Sequence, residues 1–194
     1  MQSTHLKKIL GMAALLGAFA APATFAATTL TATQSAPLTA GSTVDIDILV
    51  GDVSDLAAYQ YSFVFDPTVL QFAGYADGGF LGGSAHAYLD GGVVDNAGGL
   101  ISYAFGSLYG DVPGISGSGS LARYTFNVIG GGSTSVSFTD VLFLNSGIND
   151  IAVQYGAQVL TAVPEPSTYL MFGAGALMLA ALRRRQRVAP GVAA

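Results

Sequence analysis

Cysteine is absent from the 194-residue sequence, so it offers no disulfide framework, no thiol nucleophile and no thiolate metal site. Stability must come from core burial and sheet hydrogen bonding. Positive charge is scarce too. Lys7 and Lys8 lie near the start, Arg183, Arg184, Arg185 and Arg187 near the end, and Arg123 is the only lysine or arginine between them. With no lysine in that middle region, no Gly-x-x-x-x-Gly-Lys-Ser/Thr phosphate loop exists. Eleven aspartates from Asp45 to Asp150 stand against the single arginine, leaving about ten net negative charges. Nucleic acid and anionic lipid both require a basic surface and are excluded as partners of this region.

Other catalytic residue types are equally thin. His86 is the only histidine outside the first few residues, and it sits in Gly82–Tyr88, a stretch that reads as a loop. A lone histidine without cysteine makes no zinc site. No Gly-x-Ser-x-Gly nucleophile elbow supplies the serine that a Ser-His-Asp arrangement needs. The only glutamate is Glu165, and the aspartates fall at strand edges and turns, so no carboxylate pair for glycoside cleavage is specified. The chain reads as a non-enzyme. A secreted hydrolase is the alternative, resting on His86 and the scattered aspartates. Calcium is the one cofactor the residues invite: Asp90, Asp95, Asn96 and Asp111 lie in glycine-rich stretches and offer oxygen ligands, without EF-hand spacing. The same side chains equally suit turn geometry and solubility.

What is abundant points to a packed all-β domain. Half the residues are hydrophobic, enough for a core, and 26 glycines supply tight turns. The dominant period is two. Val44, Ile46, Ile48 and Val50 should face inward, with Asp45 and Asp47 toward water. Tyr59, Tyr61, Phe63 and Phe65 repeat the pattern, and Asp66-Pro67 turns the chain into a strand over Val69–Tyr75. Further strands are expected over Leu100–Ser107, Leu121–Ile129, Ser135–Leu144 and Ile151–Ala162, with a turn at Gly117–Ser120. Seven or more short strands predict an antiparallel sandwich or jelly roll over residues 27–162.

The two ends read as membrane signals. Lys7-Lys8, the apolar run Ile9–Ala21 and the small residues up to Ala27 form a signal peptide over 1–26, with cleavage after Ala26 or after Ala23. At the other end Pro164-Glu165-Pro166 precedes an uncharged stretch, Tyr169–Leu182, and the arginines at 183–185 and 187. The positive-inside rule keeps those arginines cytoplasmic. As a helix, 169–182 is about 21 Å long, against a hydrocarbon core of about 30 Å, so it suits a short-lived anchor. The two prolines should hold an extended segment beside the membrane. A disordered tail is expected over 188–194.

In order and spacing, residues 163–187 resemble the PEP-CTERM sorting signal of Gram-negative bacteria, which implies processing by an exosortase-type enzyme near the Pro-Glu-Pro. The sandwich region resembles the cohesin domain, which receives dockerins. The residues that carry this second resemblance are Ala40-Gly41-Ser42-Thr43-Val44, Ala58–Pro67 with Val69-Leu70, and Gly117–Phe126. The two resemblances imply an exported protein-binding module, briefly held at the inner membrane with its domain in the periplasm, then passed to the cell surface or matrix. The implied partner is a dockerin-like or other envelope protein. Alternatively the domain is a matrix component that binds itself or an exopolysaccharide through Tyr88, Tyr103 or Tyr109 and exposed sheet edges.

Overall fold

The computed structural model describes residues 27–162 and 166–187. The signal peptide predicted over 1–26, residues 163–165 and the tail 188–194 lie outside the described residues. Ten strands and one helix follow in chain order: β1 (Thr28–Gln34), β2 (Thr43–Val64), β3 (Leu70–Asp77), β4 (Ala87–Asp90), β5 (Val93–Asp95), β6 (Leu100–Leu108), β7 (Ile115–Val128), β8 (Thr134–Asn145), β9 (Val153–Tyr155), β10 (Gln158–Leu160) and α1 (Pro166–Arg187).

β2 organises the fold. Its two halves carry the alternations Val44, Ile46, Ile48, Val50 and Tyr59, Tyr61, Phe63, all buried as the period predicts. They are one bent strand rather than the two expected. At Asp52 and Asp55 the backbone enters the left-handed region, with φ of 52° and 58°, and the register against β7 shifts on either side of Val53. Aspartate tolerates that conformation because its short side chain can hydrogen-bond nearby. Asp55 Oδ1 accepts from the Gly114 N–H at 2.9 Å and Oδ2 from the Ser146 hydroxyl at 2.7 Å, while its own N–H donates to Ser116 Oγ at 2.8 Å.

The bend moves β2 from one sheet into another. Before it, β2 lies between β1 and β7, with β9 and β3 outside them. After it, β2 lies between β6 and β8, with β4 and β5 beyond β6 and β10 beyond β8. Every pairing is antiparallel except β1 with β9. The inner faces meet in an aromatic core. The Phe63 ring lies 5.7 Å from Tyr124, nearly parallel, and 5.7 Å from Phe138. At Gly106 a Cβ would fall 2.5 Å from Tyr59 Cε1, so the close approach of β6 to that ring requires glycine. Among the described residues the core runs from Leu30 to Ala162 and draws nothing from α1, so residues 27–162 carry the whole described core and should fold without α1.

Several expectations are corrected. The run 151–162 is two three-residue strands in different sheets, β9 and β10. β1, β4 and β5 were not anticipated, and Ala87 and Tyr88, read as loop, belong to β4. Gly117–Ser120 lies inside β7, where Gly117 at φ 124° follows the bend of β2, so it is no turn between strands. Pro166 begins α1 instead of standing in an extended segment, because a proline in the first helical position forfeits no hydrogen bond. α1 ends in the arginines, and no helix among the described residues is long and apolar enough to cross a membrane.

Candidate functional site

The two sheets present unlike outer faces. On the first, Thr29, Thr31 and Thr33 of β1 adjoin Asp45 and Asp47 of β2 and Arg123, Thr125 and Asn127 of β7. Four of these side chains pair off. Arg123 Nε and Nη2 donate to the two Asp47 carboxylate oxygens at 2.7 and 3.0 Å, and Thr125 Oγ1 donates to Asp45 Oδ1 at 2.7 Å. The Asp47 hydrogen bond and charge hold the Arg123 guanidinium above its usual range.

The second sheet carries an apolar patch on its outer face. Strand register builds two rows across it. Ala58 stands opposite Leu144 on one side and Ser107 on the other, with Tyr88 beyond Ser107. Gln60 stands opposite Leu142 and Phe105, with Asp90 beyond Phe105. The Tyr88 ring, 60% exposed, lies 5.7 Å from Phe105, and Leu142 is 42% exposed. The residues around Ala58, Gln60, Phe105 and Leu142 enclose a shallow depression of about 180 Å³. An exposed apolar patch of this kind, edged by polar groups, is suited to covering by another molecule. Among the described residues no acid, base and nucleophile converge on one point there.

Of the residues singled out from sequence, Tyr88 belongs to this face. Tyr103 stands on β6 with φ 54° and is 58% exposed, its N–H donating to Ser62 Oγ at 3.2 Å. Tyr109 instead ties down the loop before β4. Its ring meets His86 edge-on at 5.5 Å and its hydroxyl donates to the Ala85 carbonyl at 3.0 Å. The Ser84 hydroxyl accepts from the His86 backbone N–H at 3.2 Å, and among the described residues no serine hydroxyl bonds the His86 imidazole.

The four calcium candidates are not brought together. Asp95 pairs with Leu100, Asp90 with Phe105, and Asp111 follows the end of β6, so they are strung along one strand. At about 3.3 Å per residue Asp90 and Asp95 sit about 16 Å apart. Their oxygens close turns: Asp90 Oδ1 accepts from the Gly92 N–H at 2.7 Å and Asp95 Oδ1 from Ala97 and Gly98 at 3.0 and 2.9 Å. Asn96 Oδ1 accepts from the Phe72 N–H at 2.8 Å and so covers the edge of β3. Among the described residues no group of three acidic, histidine or cysteine side chains is placed to hold a metal.

Phe105, Leu142 and Leu144 were missed as surface residues. Their signal was present: in Val141–Leu144 and Ala104–Phe105 apolar residues fill both faces of a strand, where one solvated face would show alternation.

Bent β2 shared by two sheets, an aromatic core and one apolar outer face define a β-sandwich recognition module. The chain belongs to the cohesin domain family, whose pattern matches residues 27–159, and the PEP-CTERM protein-sorting motif matches residues 162–186. Cohesin domains are non-catalytic protein-interaction modules, and the sorting motif marks an exported chain. Among solved structures, a non-cellulosomal cohesin from Archaeoglobus fulgidus aligns with a TM-score of 0.59 at 19% identity, over 75% of this chain and 98% of that one. The second type II cohesin module of the Acetivibrio cellulolyticus adaptor scaffoldin gives 0.57 at 18% identity, over 71% and 98%. A type I cohesin–dockerin complex from Clostridium thermocellum gives 0.58 at 10%, over 71% and 100%. A comparison with curated protein sequences found no match.

Proposed function

We propose that the sandwich is a non-catalytic protein-binding module, displayed outside the cell and engaging its partner through the outer face of the second sheet. The observation that carries this reading is the contrast between the two outer faces: Arg123 pairs with Asp47 and Thr125 with Asp45 on the first, whereas Leu142 and Tyr88 stand exposed beside half-buried Leu144 and Phe105 on the second. Burying such a patch supplies the driving force of association. A dockerin-like domain or another envelope protein is the partner class that cohesin membership supports.

Delivery follows from the two ends. The signal peptide over 1–26 exports the chain. α1, which is not long and apolar enough to cross a membrane of full thickness, holds it only briefly at a thinned stretch of the inner membrane, with Arg183, Arg184, Arg185 and Arg187 on the cytoplasmic side and the sandwich in the periplasm. The described side chains over 171–180 of α1 are all exposed, which suits a helix covered by lipid or by a processing enzyme. An exosortase-type enzyme acts near Pro164, Glu165 and Pro166, and the product reaches the cell surface or matrix.

The test uses residues 27–162 immobilised as the parent and as Leu142→Asp. The parent should retain one saturable protein partner, and the variant should bind it at least about tenfold more weakly. Equal retention by both overturns the face. The exposed rings of Tyr88 and Tyr103 favour a second reading, a matrix component that stacks sugars of an exopolysaccharide on those rings or associates with itself. Polysaccharide retention or self-association without a protein partner would select it.

A further inference from the structure

Ile148 adopts a conformation that its own chemistry disfavours. Its φ of 59° puts a β-branched residue in the left-handed region, where Cβ crowds the following carbonyl. The turn around it is well held. Asn145 Oδ1 accepts from the Gly147 and Asn149 N–H groups at 3.0 and 2.9 Å, and the Ile148 N–H donates to the Asn145 carbonyl at 2.9 Å. Asparagine or glycine would serve that backbone better. Burial does not compensate, because Ile148 is 80% exposed. What the residue does border is a groove of about 360 Å³ with Ala57, Leu108, Val112 and Leu144 on its walls. Ala58, Ser107 and Leu144 line both this groove and the depression on the outer face, so the groove opens off the apolar patch past the end of β8, where Asn145 and Ser146 add polar walls to its apolar ones.

Charge selects the occupant. Asp111 lies between the wall residues Gly110 and Val112, Asp55 holds the rim residue Ser146 through Oδ2, and the Asp150 backbone pairs with that of the wall residue Leu144, so three aspartates neighbour the groove without lining it. The only arginine of residues 27–162, Arg123, is on the first sheet and paired with Asp47. A second copy of the sandwich would bring the same acidic rim and be repelled, whereas a cationic segment is attracted. Resting on the outer face as the binding surface, we infer that Ile148 is a binding anchor. It docks a cationic amphipathic segment of the partner, whose apolar residues pack against Ile148 and Leu144 while its lysines or arginines meet Asp55, Asp111 and Asp150. The strain at Ile148 is retained because it presents an apolar side chain at the mouth of the groove.

The probe is a labelled amphipathic leucine/lysine peptide, compared with a leucine/glutamate peptide of the same apolar pattern. Binding to residues 27–162 is read by fluorescence anisotropy at physiological salt, where loose charge attraction is screened. The lysine peptide should bind saturably and the glutamate peptide should not; equal binding overturns the charge assignment. Ile148→Asn should weaken lysine-peptide binding at least about tenfold while the thermal midpoint holds or rises, because the strain is relieved. A thermal midpoint that falls along with affinity would make Ile148 a structural residue and overturn the inference. Leu142→Asp in the same assay separates the two readings. If it abolishes binding and Ile148→Asn does not, the face stands and the anchor falls; if neither variant changes binding, both fall.

Discussion

At the scale of single residues, the core tyrosines form a hydrogen-bond chain with a fixed sense. Tyr124 donates its hydroxyl proton to the Gly91 carbonyl at 3.1 Å, which leaves one direction for its 3.2 Å contact with Tyr61: Tyr61 donates and Tyr124 accepts. The two deletions are therefore unequal. Tyr61→Phe removes a donor but leaves Tyr124 bonded, a loss of about 1 kcal/mol. Tyr124→Phe strips the acceptor from the fully buried Tyr61 hydroxyl, a loss of about 1–3 kcal/mol. Urea unfolding should rank Tyr124→Phe as the less stable variant, and the reverse order would refute the direction of the chain. Burial, above all, pushes the Tyr59, Tyr61 and Tyr124 phenols well above their usual range. The folded state thus favours the neutral phenol. Its contribution is complete below the unfolded value of about 10 and is lost as pH rises from there toward the folded values. Phenolate absorbance from these three should therefore rise together with the loss of the sheet circular-dichroism signal above about pH 10, and ionisation ahead of unfolding would contradict their burial.

At the scale of elements, the bend in β2 depends on Asp55. The Ser146 hydroxyl holds this carboxyl below the usual carboxylate range; partial desolvation opposes the shift, and the Gly114 and Ser146 N–H groups add to it. A lowered folded pKa means that the stabilisation is present above the unfolded value of about 3.9 and disappears as pH falls through the folded one. Asp55→Asn should reduce stability near neutral pH and flatten the acid limb of a urea-midpoint titration. A variant whose acid limb matches the parent's would show that the carboxylate does not brace the bend. The sequence shows less of this element than of its halves. Val44–Val50 and Tyr59–Phe63 announce themselves because period two is a property of local chain, but Gly51–Asp55 reads as a break. Its continuity comes from Val53 and Leu56 pairing with β7, residues distant in sequence. β4, β5, β9 and β10 are three or four residues long and are held by their neighbours more than by their own propensity, so no local pattern marks them. The candidate face was hidden for another reason: Phe105, Leu142 and Leu144 look like core residues until the register shows which way each points.

At the scale of the whole molecule, charge and hydrophobicity are partitioned along the chain, and the junction at 163–166 separates the acidic sandwich from the apolar, arginine-ended helix. Among the described residues the sandwich takes no core residue from α1, so changes at the junction should leave its stability unchanged. Pro166 opens α1, and a residue preceding proline is driven away from helical backbone, so Pro164 and Pro166 together block the helix from growing back toward Ala162. Replacing Pro164, Glu165 and Pro166 by alanine removes both blocks and supplies the strongest helix former, letting the helix extend back over the segment a processing enzyme would grip. In the native host, the parent should mature to a shorter form that leaves the membrane fraction, whereas the alanine variant should persist there at the length left after signal-peptide removal. Circular dichroism of residues 27–162 provides the folding reference for both. Normal shortening and release of the alanine variant would overturn the sorting role of the motif, and release without shortening would show that α1 is not what holds the chain at the membrane.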